Sequence, residues 1–224
     1  MKCMPIRSEN DAKRFFDLFS KQRLSEMDYV TMELLRKYYR NRNYINIRNL
    51  DNPTNEHTIA VPGLSELLFH VGFVPRKEGV LRKCEIEYLT GGWFEEYVYY
   101  LVKKFLNPQD IAIGVEISRK GMKHKNELDV VFMKGNKLFV IECKTGVQTE
   151  RLFNQIVYKA CAISEALLGI SSNPYIFSLK KDDKNEVKRI SENMGITFVD
   201  NSILMSPTKL KLSLSLMDIE AKER

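Results

Sequence analysis

The chain is poor in residues that build covalent or soft-metal frameworks. Its four cysteines, Cys3, Cys84, Cys143 and Cys161, show no Cys-x-x-Cys spacing, so no paired-thiol motif and no disulfide scaffold is expected. They read as reduced thiols of a cytoplasmic protein, with Cys143 as a buried filler. No apolar run reaches membrane-spanning length, and Met1–Pro5 lacks the apolar stretch of a secretory signal, so no membrane partner is expected. A glycine-rich phosphate loop is missing, as is any Ser/His/Asp order. What is present is 224 residues with 44% hydrophobic content, enough for one domain and a smaller partner. The net charge of +6 suits a polyanionic ligand but does not identify one.

One segment stands out: Asp129-Val-Val-Phe-Met-Lys-Gly-Asn-Lys-Leu-Phe-Val-Ile-Glu142-Cys143-Lys144. Val130, Phe132, Leu138, Val140 and Ile141 favour strands, and Lys134-Gly135-Asn136-Lys137 favours a turn, so the segment reads as a β-hairpin. Acidic residues are depleted in strands and costly to bury unless paired or metal-bound. With side chains alternating, Leu138, Val140, Glu142 and Lys144 point one way and Phe139, Ile141 and Cys143 the other. The hairpin brings Asp129 beside Glu142. Two such carboxylates repel unless a cation lies between them, and a hard divalent ion, Mg²⁺ or Mn²⁺, prefers oxygen ligands. Lys144 can then orient water or neutralise a phosphoryl oxygen. The plainer alternative is a strand end where Asp129, Glu142 and Lys144 share a salt bridge.

The neighbouring elements add further residues. Gly91–Leu106 reads as a helix with Phe94, Val98, Leu101, Val102 and Phe105 as its apolar stripe. Its phase places Glu95 at the margin of the buried side and Glu96 toward solvent, making Glu95 the better site carboxylate. An acidic residue favoured by the helix dipole is the alternative. Ile111–Ser118 alternates as a strand, with Glu116 beside Ala112 and Gly114 on one face, either near a metal or facing solvent. The loop 119–126 is basic and either offers Lys123 and Lys125 to a polyanionic substrate or is a solvated turn; His124 reads as an exposed loop residue. Gln148–Leu168 reads as a long helix offering Gln155 and Lys159, one turn apart. Two short strands, Pro174–Leu179 and Ile196–Val199, and a polar helix over Lys184–Met194 complete an α/β layer of mixed sheet covered by helices.

This order resembles the PD-(D/E)XK nuclease superfamily. Asp129 and Glu142-Cys143-Lys144 match its Asp and (Asp/Glu)-x-Lys motifs, and Glu95 matches its helix position; Leu128 replaces the proline often found before the aspartate. The local strings Gly91-Gly-Trp-Phe-Glu95, Asn126-Glu-Leu-Asp-Val130 and Ile141-Glu-Cys-Lys-Thr-Gly146 resemble the nuclease half of CRISPR-associated ancillary effectors, which join a cyclic-oligoadenylate-sensing CARF domain to such a nuclease. The resemblance covers roughly residues 89 to 200. It implies a restriction-endonuclease-like fold and a metal-dependent nuclease acting on DNA, RNA or both. Asp129 and Glu142 would be metal ligands, with the Cys143 carbonyl, Glu95 and Glu116 completing the shell. Asp129, Glu142, Lys144 and Glu95 would be the catalytic residues, and Lys123, Lys125, Gln155 and Lys159 would position substrate or water. The first ninety residues lack the repeated strand–helix alternation of a nucleotide-sensing Rossmann-like domain, so a CARF sensor is expected to be separate or missing.

The expected organisation is a small, mainly helical N-terminal module over 1–88, with a winged helix as one form. A nuclease domain over 89–200 and a C-terminal strand and tail over 201–224 follow. Asp11–Leu18, Glu26–Tyr39 and Leu64–Val71 have helical spacing. Arg36, Lys37, Arg40, Arg42 and Arg48 crowd with Tyr38, Tyr39 and Tyr44, as a surface that stacks bases and holds phosphates would; a solvated charged face is the alternative. Lys209–Leu216 alternates strictly, fitting an edge or dimer-forming strand, so a homodimer is expected. Two other functions compete: an inactive nucleic-acid-binding module with a degenerate nuclease core, and a structural homodimer binding Ca²⁺. An ammonium beside Glu142 argues against the last.

Overall fold

The computed structural model describes residues 8–40, 56–117, 126–146, 157–158, 174–180 and 186–222. The chain divides into two compact units, with the boundary between Glu96 and Tyr97.

In the N-terminal unit, helices α1 (Glu9–Ser20), α2 (Glu26–Arg40), α3 (Leu64–His70) and α4 (Lys83–Glu87) accompany a two-stranded antiparallel sheet of β1 (Glu56–Thr58) and β2 (Val80–Arg82). Helix α1 starts where the Ser8 side chain accepts the Asp11 N–H at 3.2 Å, and α2 starts at a reciprocal pair. The Asp28 N–H donates to Ser25 Oγ at 3.1 Å, and the Ser25 N–H donates to Asp28 Oδ2 at 2.9 Å. Four aromatic rings gather in its core: Phe15 lies 5.5 Å from Tyr88 and 5.7 Å from Trp93, and Phe19 stacks on Trp93 at 5.1 Å. Rings of this size bury a large apolar area each, beside the aliphatic side chains of Met32, Leu35, Leu67 and Leu81.

Of the basic-aromatic surface expected over residues 36–48, the structure corrects Arg36. Arg36 is buried, ion-paired with Glu33, and its Nε donates to the Thr90 carbonyl at 3.4 Å. Tyr38 donates to the Thr58 carbonyl at 3.2 Å, and Tyr39 donates to Glu87 at 2.6 Å. These bonds tie the unit together, while Lys37 is exposed. Arg42, Tyr44 and Arg48 lie outside the described residues.

A π-helical turn, Tyr88–Gly92, leads into α5 (Trp93–Leu106), which crosses the boundary. The second unit is built on five strands: β3 (Asp110–Ile117), β4 (Asn126–Lys134), β5 (Lys137–Lys144), β6 (Tyr175–Ser178) and β7 (Thr197–Val199). Their spatial order follows the sequence; β3–β4 and β4–β5 are antiparallel, while β5–β6 and β6–β7 are parallel. This is the expected mixed sheet. The β4–β5 connection places Gly135 at φ 58°, the glycine-first form of a two-residue hairpin turn. A Cβ there would meet the Ala221 carbonyl at 2.1 Å, so only glycine fits.

On one face Phe132 stacks on Phe139 with 4.7 Å between rings. On the other, Leu128, Val131 and Val140 form one cluster, and Val157, Ile176, Ile196 and Phe198 another. Helices α6 (Glu186–Asn193), α7 (Asn201–Leu204) and α8 (Pro207–Glu220) follow the later strands. Among the described residues no helix is long and apolar enough to cross a membrane. The helix expected over 148–168 is described only at Val157 and Tyr158, which are helical.

The C-terminal strand is corrected: Lys209–Leu216 lies inside helix α8. Ser206 caps it by accepting the Lys209 N–H, and Pro207 occupies the first turn, where its missing N–H costs nothing. The helix buries Leu210, Leu214 and Met217 and leaves Leu212, Leu216 and Ile219 exposed. The alternating leucines therefore divide between two sides of a helix.

Candidate active site

Asp129 and Glu142 come from adjacent strands of one hairpin. The β4–β5 ladder pairs Val130 with Ile141 and Val131 with Val140, so one further step sets Asp129 across from Glu142. Asp129 has a special position on its other side too. Ile113 and Val115 pair with Val130 and Leu128, which leaves Gly114 facing Asp129, and Gly114 has φ 63°. An unbroken pleat would put Leu128 on the same face as Val130, yet it packs with Val131 and Val140. The strand therefore changes face between Leu128 and Val131, at Asp129, and a glycine stands opposite where a side chain would resist the break.

The result is a tight, buried polar cluster. Asp129 and Glu142 are 8% and 7% exposed. Asp129 Oδ2 accepts the Cys143 backbone N–H at 2.7 Å. Lys144 Nζ reaches three oxygens at once: Glu142 Oε1 at 2.6 Å, the Cys143 carbonyl at 3.1 Å and Asp129 Oδ2 at 3.3 Å. Burial by itself lowers an ammonium's pKa, but the Asp129 and Glu142 carboxylates overcome it, and Lys144 is held above the ordinary lysine range. Lys144 therefore keeps its proton throughout the neutral range and serves as a hydrogen-bond donor.

Those three oxygens are the same two carboxylates and one carbonyl that the sequence nominates as metal ligands. A set of hard oxygen donors fits Mg²⁺ or Mn²⁺, and the ring already surrounds a positive charge. Among the described residues no group of three or more His, Cys, Asp or Glu side chains is placed to hold a metal ion. Glu116 is exposed on β3 and pairs across the ladder with Glu127. Glu95 is buried in the first turn of α5, on the N-terminal side of the boundary. The expectation that Glu96 faces solvent is wrong. Glu96 is 1% exposed, and Trp93, Phe94, Glu95 and Glu96 are buried in succession, because the first turn of α5 is enclosed on all sides. Lys123, Lys125, Gln155 and Lys159 lie outside the described residues.

The Card1-like endonuclease domain family matches residues 82–209, a span that contains the whole cluster. Among solved structures, Can2 from Sulfobacillus thermosulfidooxidans, in complex with cyclic tetra-adenylate, is 26% identical with a TM-score of 0.56. That similarity covers 90% of this chain and 55% of Can2. Protein VC1899 from Vibrio cholerae is 19% identical with a TM-score of 0.62, over 96% of this chain and 58% of its own; at that identity it supports the fold alone. The chain thus spans little more than half the length of either. No curated protein matches it.

Proposed function

Because the chain belongs to the Card1-like endonuclease domain family, we propose that it hydrolyses phosphodiester bonds in DNA, RNA or both, with Mg²⁺ or Mn²⁺ held between Asp129 and Glu142. The observation that carries this reading is the convergence of Glu142, Asp129 and the Cys143 carbonyl on one cationic centre, all within 3.3 Å of Lys144 Nζ. The metal, when bound, supplies charge neutralisation and polarises the phosphate. The Asp129 and Glu142 carboxylates and the Cys143 carbonyl are its ligands in this proposal. Moved off that ring, the Lys144 ammonium donates to a non-bridging phosphoryl oxygen or orients the attacking water, and it stabilises the charge that grows in the transition state. Lys144 is already protonated, so the proton from water must leave to another acceptor, such as bulk water or the phosphate itself. Glu116 remains a proposed addition to the shell, and Lys123, Lys125, Gln155 and Lys159 proposed substrate contacts.

The proposal extends to assembly and context. Helix α8 exposes Leu212, Leu216 and Ile219 along one side, which replaces the discarded strand as the ground for a homodimer. A role in CRISPR-linked defence is a further proposal, resting on the resemblance of residues 89 to 200 to the nuclease half of CRISPR-associated ancillary effectors. The cyclic tetra-adenylate seen with Can2 belongs to that protein, and control by such a ligand through a separate CARF sensor is a proposal here.

The test is cleavage of plasmid DNA and of labelled single-stranded DNA and RNA with Mg²⁺ or Mn²⁺. Wild type is expected to cut, and Glu142→Gln and Lys144→Ala to lose cutting while still binding. A wild-type protein that binds these substrates but cuts none of them with either metal would establish the inactive binding module instead.

A further inference from the structure

A cavity of about 370 Å³ lies in the second unit, lined by residues of α6, β7, α7 and α8. Its polar contributors are Lys188, Lys209, Ser202, Ser213 and Asp200, and Phe198, Ile203 and Leu212 form its apolar wall. The Asp200 carboxylate is already engaged: it caps α7 by accepting the Ile203 N–H at 3.1 Å and takes the Ser202 hydroxyl at 2.6 Å. Two lysines against one carboxylate give the lining a net positive charge, with Lys188 also lying 3.9 Å from Glu192, outside the lining.

Register ties this cavity to the candidate active site. Glu142 pairs with Ile176, and Ile176 pairs with Phe198. Paired residues in a parallel ladder project to the same side, so Glu142, Ile176 and Phe198 form one row on one face. One step further along, Lys144 pairs with Ser178, and Asp200 follows directly on β7. The cavity and the Asp129–Glu142–Lys144 cluster therefore share a face, at the carboxyl ends of the parallel strands, where ligands of α/β sheets collect. Two strand spacings separate them, about 10 Å, or roughly three nucleotide steps of a stacked strand.

Resting on the nuclease reading, we propose that this cavity is a second phosphate subsite. Lys188 and Lys209 hold a backbone phosphate of the same nucleic-acid strand whose scissile bond lies at Asp129, Glu142 and Lys144. The Ser213 hydroxyl donates to that phosphate, and Ile203 lies against the sugar. The subsite fixes the register of the strand and carries no base specificity.

The test compares wild type, Lys188→Ala/Lys209→Ala, each single variant, and a charge-matched control, Lys103→Ala/Lys211→Ala, whose lysines are also exposed but line no part of the cavity. Binding of labelled single-stranded DNA and RNA is measured by anisotropy across a salt series, with melting curves confirming the fold. The cavity variant is expected to bind about tenfold more weakly, with the slope of log K against log salt reduced by about one, and the control to change neither as much. A cavity variant that matches wild type in affinity and slope, or a control that loses as much, overturns the subsite while wild-type cleavage leaves the nuclease reading intact. A wild type that neither binds nor cuts removes both.

Discussion

At the scale of single residues, Lys144 is the cation on which the candidate site depends. It neutralises two buried carboxylates. Removing one partner of a buried ion pair strands the other charges and costs about 3–5 kcal/mol. Lys144→Ala is therefore expected to lose about that much stability in chelator, by urea unfolding. Mn²⁺ should raise its melting temperature more than that of wild type, since a divalent ion takes over the same oxygens; a loss under 1 kcal/mol would show that the cluster is solvated. The sign for pH follows from the raised pKa: this stabilisation is complete below the ordinary lysine value and fades only as pH climbs through the folded one. Asp28 behaves oppositely. Burial works to raise its pKa, but hydrogen bonds from Ser25 and the ring of His70, 2.9 Å away, hold it below the usual carboxylate value. Its contribution is present above the unfolded pKa and lost as pH falls through the folded one. Wild type should lose stability on acidification below about pH 4, and Asp28→Asn should flatten that loss; an unchanged acid profile would count against the contact.

At the scale of elements, the period of a side-chain pattern gives a strand or helix only when one face is buried. The β4–β5 hairpin was legible because alternating apolar residues flank a Gly135-Asn136 turn. Helix α8 was not, since Leu210, Leu212, Leu214 and Leu216 alternate as a strand would; the Ser206-Pro207 start was the signal that pointed to a helix. A single comparison separates the two forms. In a strand Leu212 and Leu214 would share a face, whereas in the helix Leu214 is 1% exposed and Leu212 64%. Leu214→Ala should cost about 2–5 kcal/mol and Leu212→Ala under about 0.5 kcal/mol in denaturant unfolding. Equal costs would contradict the helix. The misplacement of Glu96 has a related cause: the phase argument supposed a single buried stripe, and a π-helical turn leads into a first turn buried all round.

At the scale of the whole molecule, the order of strands and the positions of Asp129, Glu142 and Lys144 could be read from the chain, because charges inside an apolar hairpin demand an explanation. The change of strand face at Asp129 could not, since it depends on Gly114 across the ladder. Nor could the ion pairing of Arg36, whose partner Glu33 lies one helical turn away while Thr90 comes from a distant segment. The role of the central cluster remains the claim on which the functional account stands. Its most direct measurement is anomalous diffraction from a crystal soaked in Mn²⁺. The account predicts a peak between the Asp129 and Glu142 carboxylates, within ligand distance of the Cys143 carbonyl, with Lys144 Nζ displaced from the ring of oxygens. The contradicting result is no peak there, with the ammonium still bridging both carboxylates.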